Sequence, residues 1–148
     1  HPMAAGFTIE TSKIEVFSQK FEEMSSPLLT PDLLTKRLNI DMELQFNQLN
    51  FDLLEKLKDF EPIGLGNPTP TFVTRKVKVL EARLVGKDNS HLKLKLEKDG
   101  VIFYAIGFGL ASFYPKIDSE SLVDIVYTLQ ENIWGNRRSL ELRIKDIK

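Results

Sequence analysis

Glu61-Pro-Ile-Gly-Leu-Gly-Asn-Pro-Thr-Pro-Thr-Phe72 divides the chain into two rhythms. Before it, apolar residues recur mostly at helical spacing. After it, they recur every second residue. Two glycines two apart and three prolines make this stretch a shaped connector and not a loose linker. Gly64 and Gly66 permit positive φ or close backbone approach, and Asn67 before Pro68 is pushed towards an extended conformation.

The period-two region decides the fold. Residues 75–85 read as a long strand whose alternation slips near Glu81-Ala82, as at a β-bulge. Residues 86–90 form a turn, and His91-Leu-Lys-Leu-Lys-Leu96 alternates strictly. A turn at 98–100 leads into a third strand at 101–107. A short helix over 110–117, a fourth strand over 122–129, a loop at 132–136 and a fifth strand over 139–147 complete the pattern. Five strands with a short helix between the third and fourth is the order of an OB-fold, a Greek-key barrel. The bent first strand suits that barrel because it must serve both sheets. The fold class expected is α+β: a five-stranded OB-fold barrel at 73–148, behind a mainly helical segment at 4–60 and the connector at 61–72. His1-Pro2-Met3 reads as a tag remnant, so the natural N-terminus is expected to lie upstream.

In the front segment, residues 12–26 read as a helix. Ser12 and Glu15 form a capping-box pattern, and Ile14, Phe17, Phe21 and Met24 share a face. Thr30-Pro31 is an N-cap followed by proline at the first helical position. Leu38, Ile40, Met42 and Leu44 alternate as in a strand. Asn50 caps a helix running to Phe60, with Leu53, Leu54 and Leu57 inward.

Composition narrows the function. The chain has 148 residues, 42% hydrophobic and 28% charged, which is ordinary for a globular domain. No apolar run approaches the ~20 residues of a membrane span. No cysteine is present, which excludes disulfides and thiolate metal sites and fits a reducing, cytoplasmic setting. The net charge of −1 hides an asymmetry: residues 1–72 carry 6 Lys/Arg against 11 Asp/Glu, and residues 73–148 carry 14 against 10. Only two histidines occur, and the phosphate-loop, zinc-protease and nucleophile-elbow motifs are missing. Asp41 and Glu43 share a strand face, but a solvated edge accounts for them.

The residue pattern favours nucleic acid. Strand geometry puts His91, Lys93 and Lys95 on one face and Leu92, Leu94 and Leu96 in the core. Lys87 sits just before, in the turn, so the four line a path of roughly 20–25 Å at ~3.3 Å per residue. OB-folds bind oligonucleotides on this strand and its flanking loop. The loop at 132–136 with Arg137 and Arg138 brings the one tryptophan, Trp134, beside two guanidiniums, the combination used in sequence-tolerant single-strand binding. Trp134 could equally cap the barrel end. Among Phe103, Tyr104, Phe108, Phe113 and Tyr114, most are core by default; Phe108 between two glycines is the expected exposed stacking ring.

Residues 62–72, 85–95, 105–109 and 132–143 together resemble the C-terminal part of bacterial RecJ, single-stranded-DNA-specific 5′→3′ exonucleases of the DHH phosphoesterase superfamily. Residues 3–8 resemble the end of the glycine motif in that family's second catalytic-core domain. The resemblance implies an OB domain that holds single-stranded DNA beside a nuclease core in the same chain. It further implies Ala4, Ala5 and Gly6 as a truncated strand-contacting motif, and Lys87, His91, Lys93 and Lys95 as backbone contacts. For the full-length enzyme it implies Mn or Mg. Because the family's aspartate and histidine ligands lie upstream, no catalytic residue, metal or cofactor is expected in this fragment, which should be inactive alone. Single-strand-binding protein is a further partner that the resemblance suggests. The rival expectations are a protein-interaction or bracing OB module without strong DNA affinity, and an active enzyme.

Overall fold

The computed structural model describes residues 4–35 and 37–148; the tag assignment at 1–3 lies outside the described residues. Two compact units are present, His1–Leu38 and Asn39–Lys148.

In the first unit, α1 (Ile14–Ser25) follows a 3-10 turn at Thr11–Lys13. Ser12 lies inside that turn, so the expected capping box does not form, and the N-cap Glu10 makes no side-chain cap bond. Phe17 of α1 packs at 4.8 Å from Phe7 and 5.9 Å from Phe21, so the helical spacing is real, although α1 buries none of its residues. α2 (Pro31–Leu34) begins as expected: the Thr30 hydroxyl accepts from the Leu33 N–H.

The second unit is a closed barrel. Its strands are β1 (Met42–Glu43), β2 (Phe72–Val85), β3 (His91–Lys98), β4 (Val101–Gly107), β5 (Leu122–Trp134) and β6 (Arg137–Ile147). The order β1-β2-β3-β4-β6-β5 is closed by β2 pairing with β5, and β4 and β6 run parallel. The five long strands make the OB-fold barrel, with the 3-10 helix Ala111–Lys116 between the third and fourth. The strand expected from Leu38 shrinks to Met42–Glu43, because backbone bonds to the Thr71–Val73 stretch begin at Asp41 and end at Leu44.

β2 bends because its register shifts twice, between Thr74 and Val77 and between Val79 and Glu81. The second shift lies at the slip expected from sequence. The first, where Lys76 takes φ 52°, is additional. Leu92, Leu94 and Leu96 are fully buried by the strict alternation of β3, each contributing about 1.5–3 kcal/mol. Asp99 (φ 51°) and Gly100 (φ 79°) give the β3–β4 hairpin the pair of positive φ angles that an Asp-Gly primed turn needs.

The residues from Asn39 to the connector belong to this unit, whereas the sequence reading divides the chain after Phe60. Leu44, Phe46, Leu49 and Leu54 join the barrel core, and Phe46 meets Phe103 edge-on at 5.1 Å. Asn50 caps α3 (Phe51–Leu57) by accepting from the Leu53 N–H at 2.8 Å. In the connector, Gly64 and Asn67 exchange backbone hydrogen bonds (2.9 and 3.1 Å), and the Asn67 amide donates to the Phe60 and Pro62 carbonyls. Neither Gly64 nor Gly66 takes a positive φ or a close approach, so side-chain and backbone hydrogen bonds shape this segment.

Candidate nucleic-acid interface

Alternation on β3, β4 and β6 builds one outward face. With Leu92, Leu94, Leu96, Phe103, Ala105, Leu142 and Ile144 turned into the core, His91, Lys93, Lys95, Tyr104, Glu141 and Arg143 turn out. Register aligns Arg83 of β2 with Lys93, Lys93 with Ile106, and Ile106 with Arg143. The next row aligns Glu81, Lys95, Tyr104 and Glu141. A shallow depression of about 220 Å³ lies here, lined by Glu81, Arg83, Lys93, Leu94, Lys95 and Tyr104.

The cations on this face differ in how they are held. Lys93 Nζ donates to Glu141 Oε1 at 2.6 Å, and Gln130 donates to Glu141 Oε2 at 2.9 Å. Among the described residues Lys95 has no acidic partner within 4 Å. Arg143 stands 5.0 Å over the Phe108 ring, a cation–π geometry. His91 meets the same ring edge-on at 5.0 Å and accepts from the Gly109 N–H through Nδ1 at 3.3 Å. Phe108 is half exposed, between Gly107, where a Cβ would lie 2.8 Å from Leu110, and Gly109, which turns at φ +70°. Lys87 is exposed in the β2–β3 turn. Beside it, the Ser90 hydroxyl and local backbone N–H groups hold the Asp88 carboxyl below its usual range.

The expected loop at 132–136 is instead the tip of a hairpin. Trp134 pairs with Arg137 and Ile133 with Arg138, leaving Gly135-Asn136 as the turn, with Gly135 at φ +58°. Trp134 is 84% exposed, which excludes its alternative as a barrel cap. Arg137 is exposed. Arg138 pairs with Glu131 and lies 5.4 Å over the Phe51 ring. The hydrogen bond that Arg138 donates to Glu131 raises the Arg138 pKa and lowers that of Glu131.

The strands do not bring the two groups of expected residues to one end. β4 finishes at Gly107 opposite Leu92, so Phe108 and the 86–90 turn share an end. β6 runs parallel to β4 with Glu141 opposite Tyr104, so the hairpin tip with Trp134 lies at the other end, near the Lys98–Val101 turn. The face between them contains Arg83, Tyr104, Glu141 and Arg143, none of which the sequence reading named as site residues. Phe108 faces solvent, as expected, and of the other four aromatics, expected mostly in the core, Tyr104 and Tyr114 also face solvent. The alternation Ile102-Phe103-Tyr104-Ala105 was the available signal: Phe103 and Ala105 point inward, so Tyr104 points out. Ala4, Ala5 and Gly6 lie in the first unit, exposed and without regular structure.

Among the described residues, no group of three or more His, Cys, Asp or Glu side chains could hold a metal ion. The acids present therefore do not fit the metal that the resemblance implies for a full-length enzyme. Among the described residues, no helix is long and apolar enough to cross a membrane.

The RecJ OB domain family matches residues 40–146. The single-stranded-DNA-specific exonuclease RecJ of Salmonella typhimurium is 32% identical over 149 residues, covering 99% of this chain and 25% of its own length. That of Bacillus subtilis is 23% identical over 146 residues, covering 99% of this chain and 19% of its own. The chain thus spans a fifth to a quarter of these relatives. The crystal structure of RecJ in complex with Mn2+ from Thermus thermophilus covers 97% of this chain and 20% of its own, at 21% identity and TM-score 0.73. The matched stretch takes in β1, α3 and all of the barrel but the last residue of β6, and the chain belongs to the RecJ OB domain family.

Proposed function

We propose that this chain holds single-stranded DNA for a RecJ-type 5′→3′ exonuclease acting in DNA repair and recombination. The observation that carries this reading is the outward face of β2, β3, β4 and β6, where Arg83 and Lys95 line a depression with exposed Tyr104 and Arg143 covers exposed Phe108. Cations tracking a backbone with rings for unpaired bases is how sequence-tolerant single-strand binders work. Phosphates would meet Lys87, Lys93, Lys95, Arg83 and Arg143. Bases would stack on Phe108, Tyr104 or, at the hairpin tip, Trp134 beside Arg137 and Arg138.

In the full-length enzyme the catalytic core of the same chain would supply the Mn- or Mg-dependent hydrolysis. Residues ahead of the barrel would be the tail of the second core domain, with Ala4, Ala5 and Gly6 as its strand-contacting end. The OB domain would keep the strand attached between cuts. Cytoplasmic location and contact with single-strand-binding protein belong to the same proposal.

The test is a fluorescence-anisotropy titration with labelled oligo-dT and with a duplex of equal length, at two salt concentrations. Tighter binding to oligo-dT that weakens steeply with salt is expected. Equal affinity for the duplex, which offers no free base faces, would overturn the single-strand reading, and weak affinity for oligo-dT would leave the chain as a bracing or protein-interaction module.

A further inference from the structure

A buried carboxylate stands at the centre of a face proposed to hold a polyanion. Glu141 is only 6% exposed, and β6 places it directly opposite Tyr104. Burying a charge is costly unless it is paired and hydrogen-bonded. Here both oxygens are met, by Lys93 at 2.6 Å and Gln130 at 2.9 Å. Lys93 is consequently already neutralised, and its ammonium reaches a phosphate only by leaving or sharing Glu141.

We infer that Glu141 is a built-in counter-anion. It fixes Lys93 on the binding face and limits how tightly that face grips a strand, so that the grip stays releasable. Two features favour this over simple packing. Glu141 occupies an outward position on β6, between Tyr104 of β4 and Gln130 of β5, where a neutral polar residue would avoid the cost of a buried charge. The pairing is also selective: two residues along β3, Lys95 is left without an acid within 4 Å among the described residues. The inference rests on the single-stranded-DNA reading above.

The experiment titrates labelled oligo-dT with the whole chain and with Glu141→Gln. Glutamine keeps the shape and can still accept from Lys93, while the Gln130 amide turns to accept in its place. Freeing one cation for one phosphate steepens the salt slope by about 0.7, worth about eightfold in affinity at ~50 mM salt and about threefold at ~200 mM. Glu141→Met, of similar volume and uncharged, gives the same rise and serves if the glutamine variant does not fold. In a Lys93→Met background the gain should vanish.

Unchanged or weaker binding by a folded variant overturns the counter-anion role, as does a gain that survives Lys93→Met. Wild-type chain that fails to bind oligo-dT at either salt removes the single-stranded-DNA reading and this inference together. Wild-type binding with an inert Glu141→Gln removes only the inference.

Discussion

The Tyr127 hydroxyl lies 2.9 Å from that of Thr74, and Thr74 donates to the Leu44 carbonyl at 2.7 Å. Tyr127 and Thr74 are fully buried. Since the Thr74 proton is committed to a carbonyl, Tyr127 is the donor between the two hydroxyls. The relay adds side-chain bonds to the backbone pairing that already joins β5, β2 and the segment ahead of α3.

The direction of the relay sets an order of mutational cost. Tyr127→Phe leaves Thr74 still bonded to Leu44 and should cost about 1 kcal/mol, a single net hydrogen bond. Thr74→Val strips partners from both the Tyr127 hydroxyl and the Leu44 carbonyl, at roughly 1–3 kcal/mol for each. Urea denaturation of the two variants checks this, and a costlier Tyr127→Phe would reverse the relay.

The same tyrosine predicts an alkaline limit. Burial pushes the Tyr127 pKa from 10.0 up to about 12. A folded pKa above the unfolded one means that the folded state keeps its proton longer. Its stabilising contribution is full below pH ~10 and is lost as pH rises through ~12, by roughly 2–3 kcal/mol in all. Melting temperature should fall over that window in the wild type. Tyr127→Phe should lack this component of the fall.

Legibility in the sequence followed the strength of local signals. The strict alternation of His91–Leu96 and the Asp99-Gly100 turn dictated β3, its hairpin and hence the barrel order. Asn50 and Thr30 announced their helices because a cap is a local bond. Long-range partners were not legible. Nothing near Lys93 indicates that Glu141, 48 residues on, neutralises it. Leu38 and Ile40 alternate like a strand but lack a neighbour to pair with. Trp134 read as part of a loop because β5 and β6 extend beyond the barrel on cross-strand pairing, which composition does not reveal.

Metal removal should be without effect on this chain. Among the described residues no acidic or histidine group is arranged to hold an ion. A chelator should leave melting temperature and oligo-dT affinity unchanged, and added Mn2+ or Mg2+ should elicit no DNA digestion. Metal-dependent digestion co-eluting with the chain would contradict this.

Lys95→Glu is the cleanest probe of the face, because Lys95 has no acid within 4 Å among the described residues to lose. Thermal stability should fall by no more than about 1 kcal/mol, because the new carboxylate stands opposite Glu81 across the β2–β3 pair. Oligo-dT affinity should drop about tenfold or more, with the salt slope shallower by about 0.7. An intact slope would move the phosphate track away from β3.

Trp134 separates the two ends of the face. At 84% exposure its truncation removes almost no buried surface, so Trp134→Ala should melt within about 0.5 kcal/mol of wild type. If the hairpin tip offers its ring to a base, oligo-dT binding should weaken by about 1–3 kcal/mol. Phe108→Ala acts at the opposite end, beside Arg143 and His91. Because the two rings share no contact route through one strand end, their losses should add when the oligonucleotide is long enough to reach both. With a short oligonucleotide only one of the two substitutions should matter. Melting curves and an oligo-dT length series on the single and double variants measure this. Unchanged affinity for Trp134→Ala at every length would confine stacking to the Phe108 end, and the tip would then contribute only its arginines.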